Sequence, residues 1–184
     1  MNNETERRLL AEGKYVRLVA RGRWEWVERT NASMAVVIAA VTADGELVLI
    51  EEYRRPLDAR VVELPAGLVG DKPGAGDENL IEAAKRELLE EAGCVSKRWK
   101  HLIEGPSSPG LTNERYTMYL ALDANKLSPG GGDESEDIHV CLVPLDQVET
   151  WLQERLKQGL LVDPKVYTAL YFAEKERRLH KEFP

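Results

Sequence analysis

Four charged side chains fall within six residues of the stretch AAKRELLEEAGCV: Arg86, Glu87, Glu90 and Glu91. On a helix, at 100° per residue, the three carboxylates share an arc of about 100° beside an apolar stripe. Like charges at i,i+3 and i,i+4 oppose the helix by roughly 0.2–0.5 kcal/mol per pair, and Arg86 offsets part of that. Two chemistries fit such a face. One is a solvated charged surface. The other is an oxygen-rich site for Mg²⁺, whose hard charge suits carboxylates completed by water and phosphate oxygens. Charge alone leaves both open.

The elements that must position these groups are legible around them. Asn79 suits an N-cap, with Glu82 three residues on completing a capping box, and Gly93 suits a left-handed C-terminal stop. Ile81, Ala84, Leu88 and Ala92 recur at helical spacing as a core stripe. Upstream, residues 14–30 alternate as two strands turning at Arg21–Gly22, and the apolar runs around Asp44–Gly45 predict a hairpin. ARVVELPAG reads as a short strand stopped by proline, and the glycine-rich stretch Gly67 to Glu78 as a loop. Downstream come strand-like segments near 97–104, 115–122 and 138–143. A helix from Leu145 to Lys157 and another capped by Asp163, with Pro164 at its first position, close the chain. This irregular alternation predicts a mixed sheet between helices.

Spacing discriminates where charge does not. Glu78, seven further residues and then RELLEEAGC follow the pattern E-x7-R-E-U-x-E-E-x-G-U, with Leu88 and Cys94 at the apolar positions. The chain therefore resembles the Nudix hydrolases. The resemblance implies an α/β/α sandwich and hydrolysis of a nucleoside diphosphate linked to another group. It implies that Glu87 and Glu91 ligate a divalent metal, that Glu90 joins them, and that Arg86 orients a neighbouring glutamate. The family places a glycine where Lys72 stands. The segment ELPAG offers Gly67 instead, which leaves ten residues before Glu78, an apparent insertion of five. Extra length in a loop costs little closure entropy.

Flanking motifs narrow the resemblance to ADP-ribose and nucleotide-sugar pyrophosphatases. ELPAG is similar to their metal-binding segment, which implies that the backbone carbonyl of Ala66 is a ligand and that Glu63 contacts substrate or metal-bound water. SSPGLTNERYTMYLA resembles their SPG loop, with Pro109 sixteen residues after Gly93 and Glu114 implied in ribose recognition. GGGDESEDIHV resembles their catalytic E-x-E-D-I loop, implying Glu134 as the foremost general base and Glu136 as a third-shell or conditional metal contact or the alternative base, with the glycines giving mobility. GRWEWVERT resembles the N-terminal strands of dimeric members. There Trp24, with Trp26 as second choice, would stack on the base, and the strands would cross to a partner subunit; packing is the alternative use of both rings. Arg29 and Arg54 would contact base, ribose or phosphate, since a planar guanidinium bonds phosphate in a bidentate way. The implied organisation is a β-segment at 1–33, for base contacts and dimerisation, followed by a Nudix catalytic domain at 34–184. The implied cofactor is Mg²⁺, with Mn²⁺ as substitute, and the implied partners are a nucleoside diphosphate sugar and a second copy of the chain. ADP-ribose would yield AMP and ribose 5-phosphate. The alternatives are a GDP-mannose or UDP-sugar preference, or a silent nucleotide-binding module.

Composition excludes other classes. The formal net charge of −7 over 184 residues argues mildly against non-specific nucleic-acid binding, which wants basic patches to replace counterions. The polar N-terminal stretch carries no signal-peptide core, and no run approaches the ~20 apolar residues that span a bilayer. Cys94 and Cys141 sit in apolar patterns, as buried reduced thiols of a cytoplasmic protein would. There is no G-x-x-x-x-G-K-[ST] loop, H-E-x-x-H pair or G-x-S-x-G elbow. A calcium-loop reading of GGGDESEDIHV fails, because Ile138 occupies its glycine position and Pro144 its terminal glutamate.

Overall fold

The computed structural model describes residues 6–32, 34–70, 78–132 and 136–182. In chain order the strands are β1 (Arg8–Glu12), β2 (Val16–Arg21), β3 (Trp24–Arg29), β4 (Ala35–Thr42), β5 (Glu46–Arg54), β6 (Ala59–Glu63) and β7 (Ala66–Leu68). Helix α1 (Leu80–Ala92) follows, then β8 (Cys94–Val95), β9 (Arg98–Pro106), β10 (Arg115–Lys126), β11 (Ile138–Pro144), α2 (Val148–Lys157), β12 (Leu161–Val162) and α3 (Pro164–Glu182).

The central strand β4, AVVIAAVT, is apolar on both faces because helices cover both. Val36, Ile38 and Ala40 pack with Ala84, Leu88 and Ala92 of α1. Val37, Ala39 and Val41 point the other way, onto Val148 and Leu152 of α2 and Val166 and Ala169 of α3. The strand pairs antiparallel to β7 on one side and parallel to β10 on the other. With β5, β6, β8, β9, β11 and β12 they form one nine-stranded mixed sheet. The layers are helix, sheet, helices: the α/β/α sandwich that the sequence implied.

The hairpin about Asp44–Gly45 forms, but β4 and β5 share only the pair Val41↔Leu47 before diverging. From there β7 and β10 take the edges of β4, while β6 and β11 take those of β5. The sheet therefore splays open away from the turn. One expectation shifts as a result. Gly67 and Leu68 belong to β7 rather than to a loop, because the divergence frees an edge of β4 for them. Residues 71–77 lie outside the described residues.

β1–β3 form a separate antiparallel sheet. Its first strand went unread because all five residues are exposed and leave no apolar alternation. β3 joins the core where the Val27 N–H donates to the Leu111 carbonyl (2.8 Å). Arg21 pairs with Trp24, so the turn is Gly22–Arg23, one residue beyond expectation. Helix α2 starts at Val148 rather than Leu145, because the Gln147 N–H turns back onto the Pro144 carbonyl. Cys94 is a buried free thiol and Cys141 a half-buried one. No helix among the described residues is long and apolar enough to cross a membrane.

Candidate active site

The mouth of the splay is a cleft of about 350 Å³ lined by Ala35 and Val37 of β4, Arg54, Glu63, Ala66, Gly67, Leu68, Glu87, Glu91 and Glu136. Arg29, Ser107, Glu114, Tyr116 and Lys165 complete its wall.

Helix α1 brings the carboxylates because its limits are fixed at both ends. The Asn79 side chain accepts from the Glu82 N–H, and Gly93 takes the left-handed conformation at φ 63°. Its inner face buries Ala83, Ala84, Leu88 and Ala92 together with Glu87 and Glu91, while Ile81 is half-buried. The two carboxylates are nearly removed from water, Glu87 at 8% and Glu91 at 4% exposure. Burial of that degree disfavours a charged carboxylate. It pushes Glu91 up to about 9, against the pull of a 2.8 Å hydrogen bond from the Ala66 N–H, and Glu87 and Glu136 push the same way.

Arg86 braces this face. Its Nε and Nη2 donate to the two oxygens of Glu78 at 2.9 and 3.0 Å, Nη2 also reaches the Leu68 carbonyl (3.1 Å), and Nη1 donates to Glu87 at 2.6 Å. The same Nη1 lies 3.3 Å from Glu90, whose side chain is 40% exposed and stands outside the cleft. The glutamate before the helix, the helix itself and β7 are thus joined by one guanidinium, held strongly protonated above all by Glu78.

Two backbone features complete the arrangement. A Cβ at Gly67 would lie 2.5 Å from Glu87 Cγ and closer still to its carboxyl, so glycine lets the Glu87 side chain lie against β7 here. The run Gly130–Gly132, all with positive φ, wraps the end of α1. The Gly131 N–H donates to the Glu91 carbonyl (2.8 Å) and the Gly132 N–H to that of Glu90 (3.1 Å), satisfying carbonyls that a helix end leaves open. The glycines expected to confer mobility are therefore tied to the helix. They also lead the chain to Glu136, which lines the cleft. Glu134 lies outside the described residues.

Cations line the rest. Arg54 donates to Glu63 (2.6 Å) and Glu52 (2.9 Å). Arg29, carried by β3, pairs with Glu114. Burial raises the Glu114 carboxyl, but bonds from Arg29 and Ser107 outweigh it and hold the group below its ordinary range. Trp24, Trp26 and Pro109 do not line the cleft. Trp24 is 65% exposed, and the Trp26 indole N–H donates to Glu28 at 2.9 Å.

Sequence reasoning passed over Glu52, Tyr116 and Lys165. Glu52 is buried, and its Oε2 has no hydrogen-bond partner among the described residues. Its signal was a carboxylate on the same strand face as Arg54, two residues away. Lys165 carried a weaker signal, a cation in the first turn of a helix.

The donor set fits a hard divalent cation. Two buried carboxylates side by side call for positive charge, and β7 brings the main chain of Ala66 against Glu91. Among the described residues no group of three or more acidic, His or Cys side chains is placed to hold an ion alone. One or two carboxylates plus substrate phosphate oxygens is the usual Mg²⁺ arrangement.

Fold and cleft together define an α/β/α sandwich with a helix-borne acidic site at the mouth of its sheet. Residues 32–163 match the model of the NUDIX domain, and the chain belongs to that family. It is 31% identical over 149 residues to the methanol dehydrogenase activator of Bacillus methanolicus, covering 80% of this chain and 76% of that protein. It is 34% identical over 140 residues to an Escherichia coli (strain K12) ADP-ribose pyrophosphatase, covering 72% of this chain and 64% of that one. The Bacillus subtilis (strain 168) ADP-ribose pyrophosphatase is 32% identical over 122 residues, 66% of this chain and 63% of its own. The chain thus spans just under two thirds of the length of these two pyrophosphatases. A crystal structure of an ADP compounds hydrolase shares the fold, with a TM-score of 0.69 at 23% identity over 96% of this chain and 93% of that one.

Proposed function

We propose that this protein is a Mg²⁺-dependent hydrolase of the pyrophosphate bond in nucleoside diphosphate sugars, with ADP-ribose as foremost substrate, giving AMP and ribose 5-phosphate. The observation that carries the reading is one cleft holding the buried pair Glu87 and Glu91 together with Arg29 and Arg54. An acidic protein binding an anionic diphosphate needs such a split. Glu87, Glu91, the main chain of Ala66 and, from the rim, Glu90 would hold the metal. When bound, the metal supplies charge neutralisation and a more acidic water. Arg54, held in one plane by Glu52 and Glu63, orients the diphosphate, and the Arg29–Glu114 pair faces the nucleoside or its ribose. Glu136, or Glu134 beside it in sequence, accepts a proton from the attacking water. Displacement in line breaks the phosphoanhydride.

Residues 1–33 would act as an arm and 34–184 as the catalytic domain. The arm supports a homodimer: β1 is exposed throughout, and Leu9, Tyr15, Val16 and Trp24 are open to solvent at 46–65%. Covering that face with a second copy would bring Trp24 or Trp26 to a base in the partner's cleft. Free thiols at Cys94 and Cys141 agree with a cytoplasmic setting. The test is release of monophosphate from ADP-ribose, GDP-mannose, UDP-glucose and dinucleotides, with and without Mg²⁺. The reading expects ADP-ribose to lead and turnover to need the metal. No cleavage of any diphosphate with metal present would sink it.

A further inference from the structure

We propose that Lys165 is a substrate-binding residue that holds the phosphate of the diphosphate lying away from Glu87 and Glu91; this rests on the proposed function. Lys165 follows the matched family domain, which ends at residue 163, and belongs to α3. A lysine in the first turn of a helix stands against the macrodipole. The fold nevertheless mounts it with care. The Asp163 carboxylate accepts from the Lys165 backbone N–H (2.8 Å) and also pairs with its ammonium. The Asp163 N–H donates to the Val62 carbonyl (2.9 Å), which fixes the mount to β6.

The ammonium stands 5.6 Å from the centre of the Tyr116 ring, and both side chains line the cleft. Strand β4 lies between β7 and β10: Ala35 pairs with Leu68 on one side and with Tyr116 on the other. Lys165 therefore faces the cleft from the β10 side, across β4 from the β7 segment that abuts the metal carboxylates. Arg29 is paired with Glu114, and Arg54 with Glu52 and Glu63. An ammonium has three donors, and Asp163 takes only part of that capacity. A substrate diphosphate has two phosphates, and the carboxylate side with its metal accommodates one. Lys165 is placed as the point charge for the other, a role in which lysine needs no planar partner.

The test uses the full chain and the variants K165M, which keeps an aliphatic stem over Tyr116, and K165R. K165M is expected to raise the KM for ADP-ribose about 10- to 100-fold, the scale of a charge-assisted hydrogen bond. The Kd of inorganic pyrophosphate measured calorimetrically with Mg²⁺ rises in parallel, kcat changes far less, and Tm holds. K165R recovers most of the loss. Unchanged KM and pyrophosphate affinity in folded K165M would overturn the proposal. A loss that follows a lowered Tm and is not recovered by K165R would overturn it too, since that is a purely structural role. If the wild-type protein cleaves no diphosphate, the functional reading fails first. The pyrophosphate titration then still decides whether Lys165 binds phosphate.

Discussion

Gly67→Ala should separate activity from stability, and the structure gives the sizes. Gly67 does not occupy the left-handed region, so alanine brings no backbone strain there. The difficulty is steric. The new Cβ would sit 2.5 Å from Glu87 Cγ, whereas ordinary contact begins at 3.4 Å. Glu87 must therefore retreat by about 1 Å, and more at its carboxyl, which stands nearer the glycine. The obstructing atoms are the end of a flexible side chain bordering the cleft, so rotation relieves the clash. An off-rotamer side chain costs about 0.5–1.5 kcal/mol, and a weakened Arg86–Glu87 pair costs up to about 1 kcal/mol more. Lost freedom in the unfolded chain returns about 0.4–1 kcal/mol. The net is about 1 kcal/mol, a fall in Tm of about 2–4 °C for a chain of this size.

Activity should respond far more steeply. Misplacing a reacting group by about 1 Å costs about 100-fold in rate. The assay is steady-state cleavage of ADP-ribose by wild type, G67A, E87Q and the double variant, with thermal melts of each. Both single changes remove the same carboxylate from its place, so the double variant should be no slower than E87Q. Near-normal turnover in G67A, or losses that simply multiply in the double variant, would refute the reasoning.

Three further outcomes follow from the carboxylates. Glu91→Gln keeps an acceptor for the Ala66 N–H and removes a carboxyl that must take up a proton to be buried at neutral pH; metal-free Tm there should hold or rise while turnover falls about 100-fold or more, and a clearly lowered Tm would contradict the burial argument. Glu52 is pushed up to about 7, chiefly by burial, from an ordinary 4.5, so the folded state binds its proton more tightly. Stability should then decline as pH rises from 4.5 through 7, and Glu52→Gln should flatten that limb; parallel melting curves across this window would count against it. Glu28 is held down at about 2, first by Arg7 and then by Trp26 and Arg17, despite burial. Its contribution is present above the ordinary 4.5 and disappears as pH falls through about 2. Trp26 fluorescence should report loosening of the β1–β3 sheet on that acid limb in wild type, and Glu28→Gln should lack it.

Local grammar was legible in the sequence where one residue settles one geometry. Asn79, Gly93, Asp163 and Pro164 fixed helix ends, and the spacing from Glu78 to Glu91 set the acidic face of α1. Strand β1 was not legible, because RLLAE buries nothing within the chain and local pattern is the only clue to it. The splay of β4 from β5 was hidden for a different reason. It depends on which distant strands, β7, β10, β6 and β11, take each edge, and the alternation within a hairpin looks the same with or without them. That divergence makes the cleft. Lys165, reached only by long-range packing, was consequently missed, and Tyr116 was passed over although it stands within the quoted SSPGLTNERYTMYLA segment, because nothing local marks it as facing the cleft.

Charge accounting explains why the site needs so many partners for so few working groups. The cleft places Glu63, Glu87, Glu91, Glu114 and Glu136 within one small volume of an already acidic protein. Left alone, such a set would shed charge by protonation, as the upward shifts at Glu91 and Glu52 indicate. The fold answers unequally. Glu78, Glu63 and Glu114 each receive a guanidinium, from Arg86, Arg54 and Arg29. Those pairs fix side chains in place and hold charge balance without a ligand. Among the described residues Glu91 receives a backbone N–H, and Glu87 shares Arg86 with Glu78. The shortfall of positive charge in the cleft thus falls on one face of α1, where the proposed divalent cation would supply it, and the arginines stand on the other side for the proposed anionic substrate.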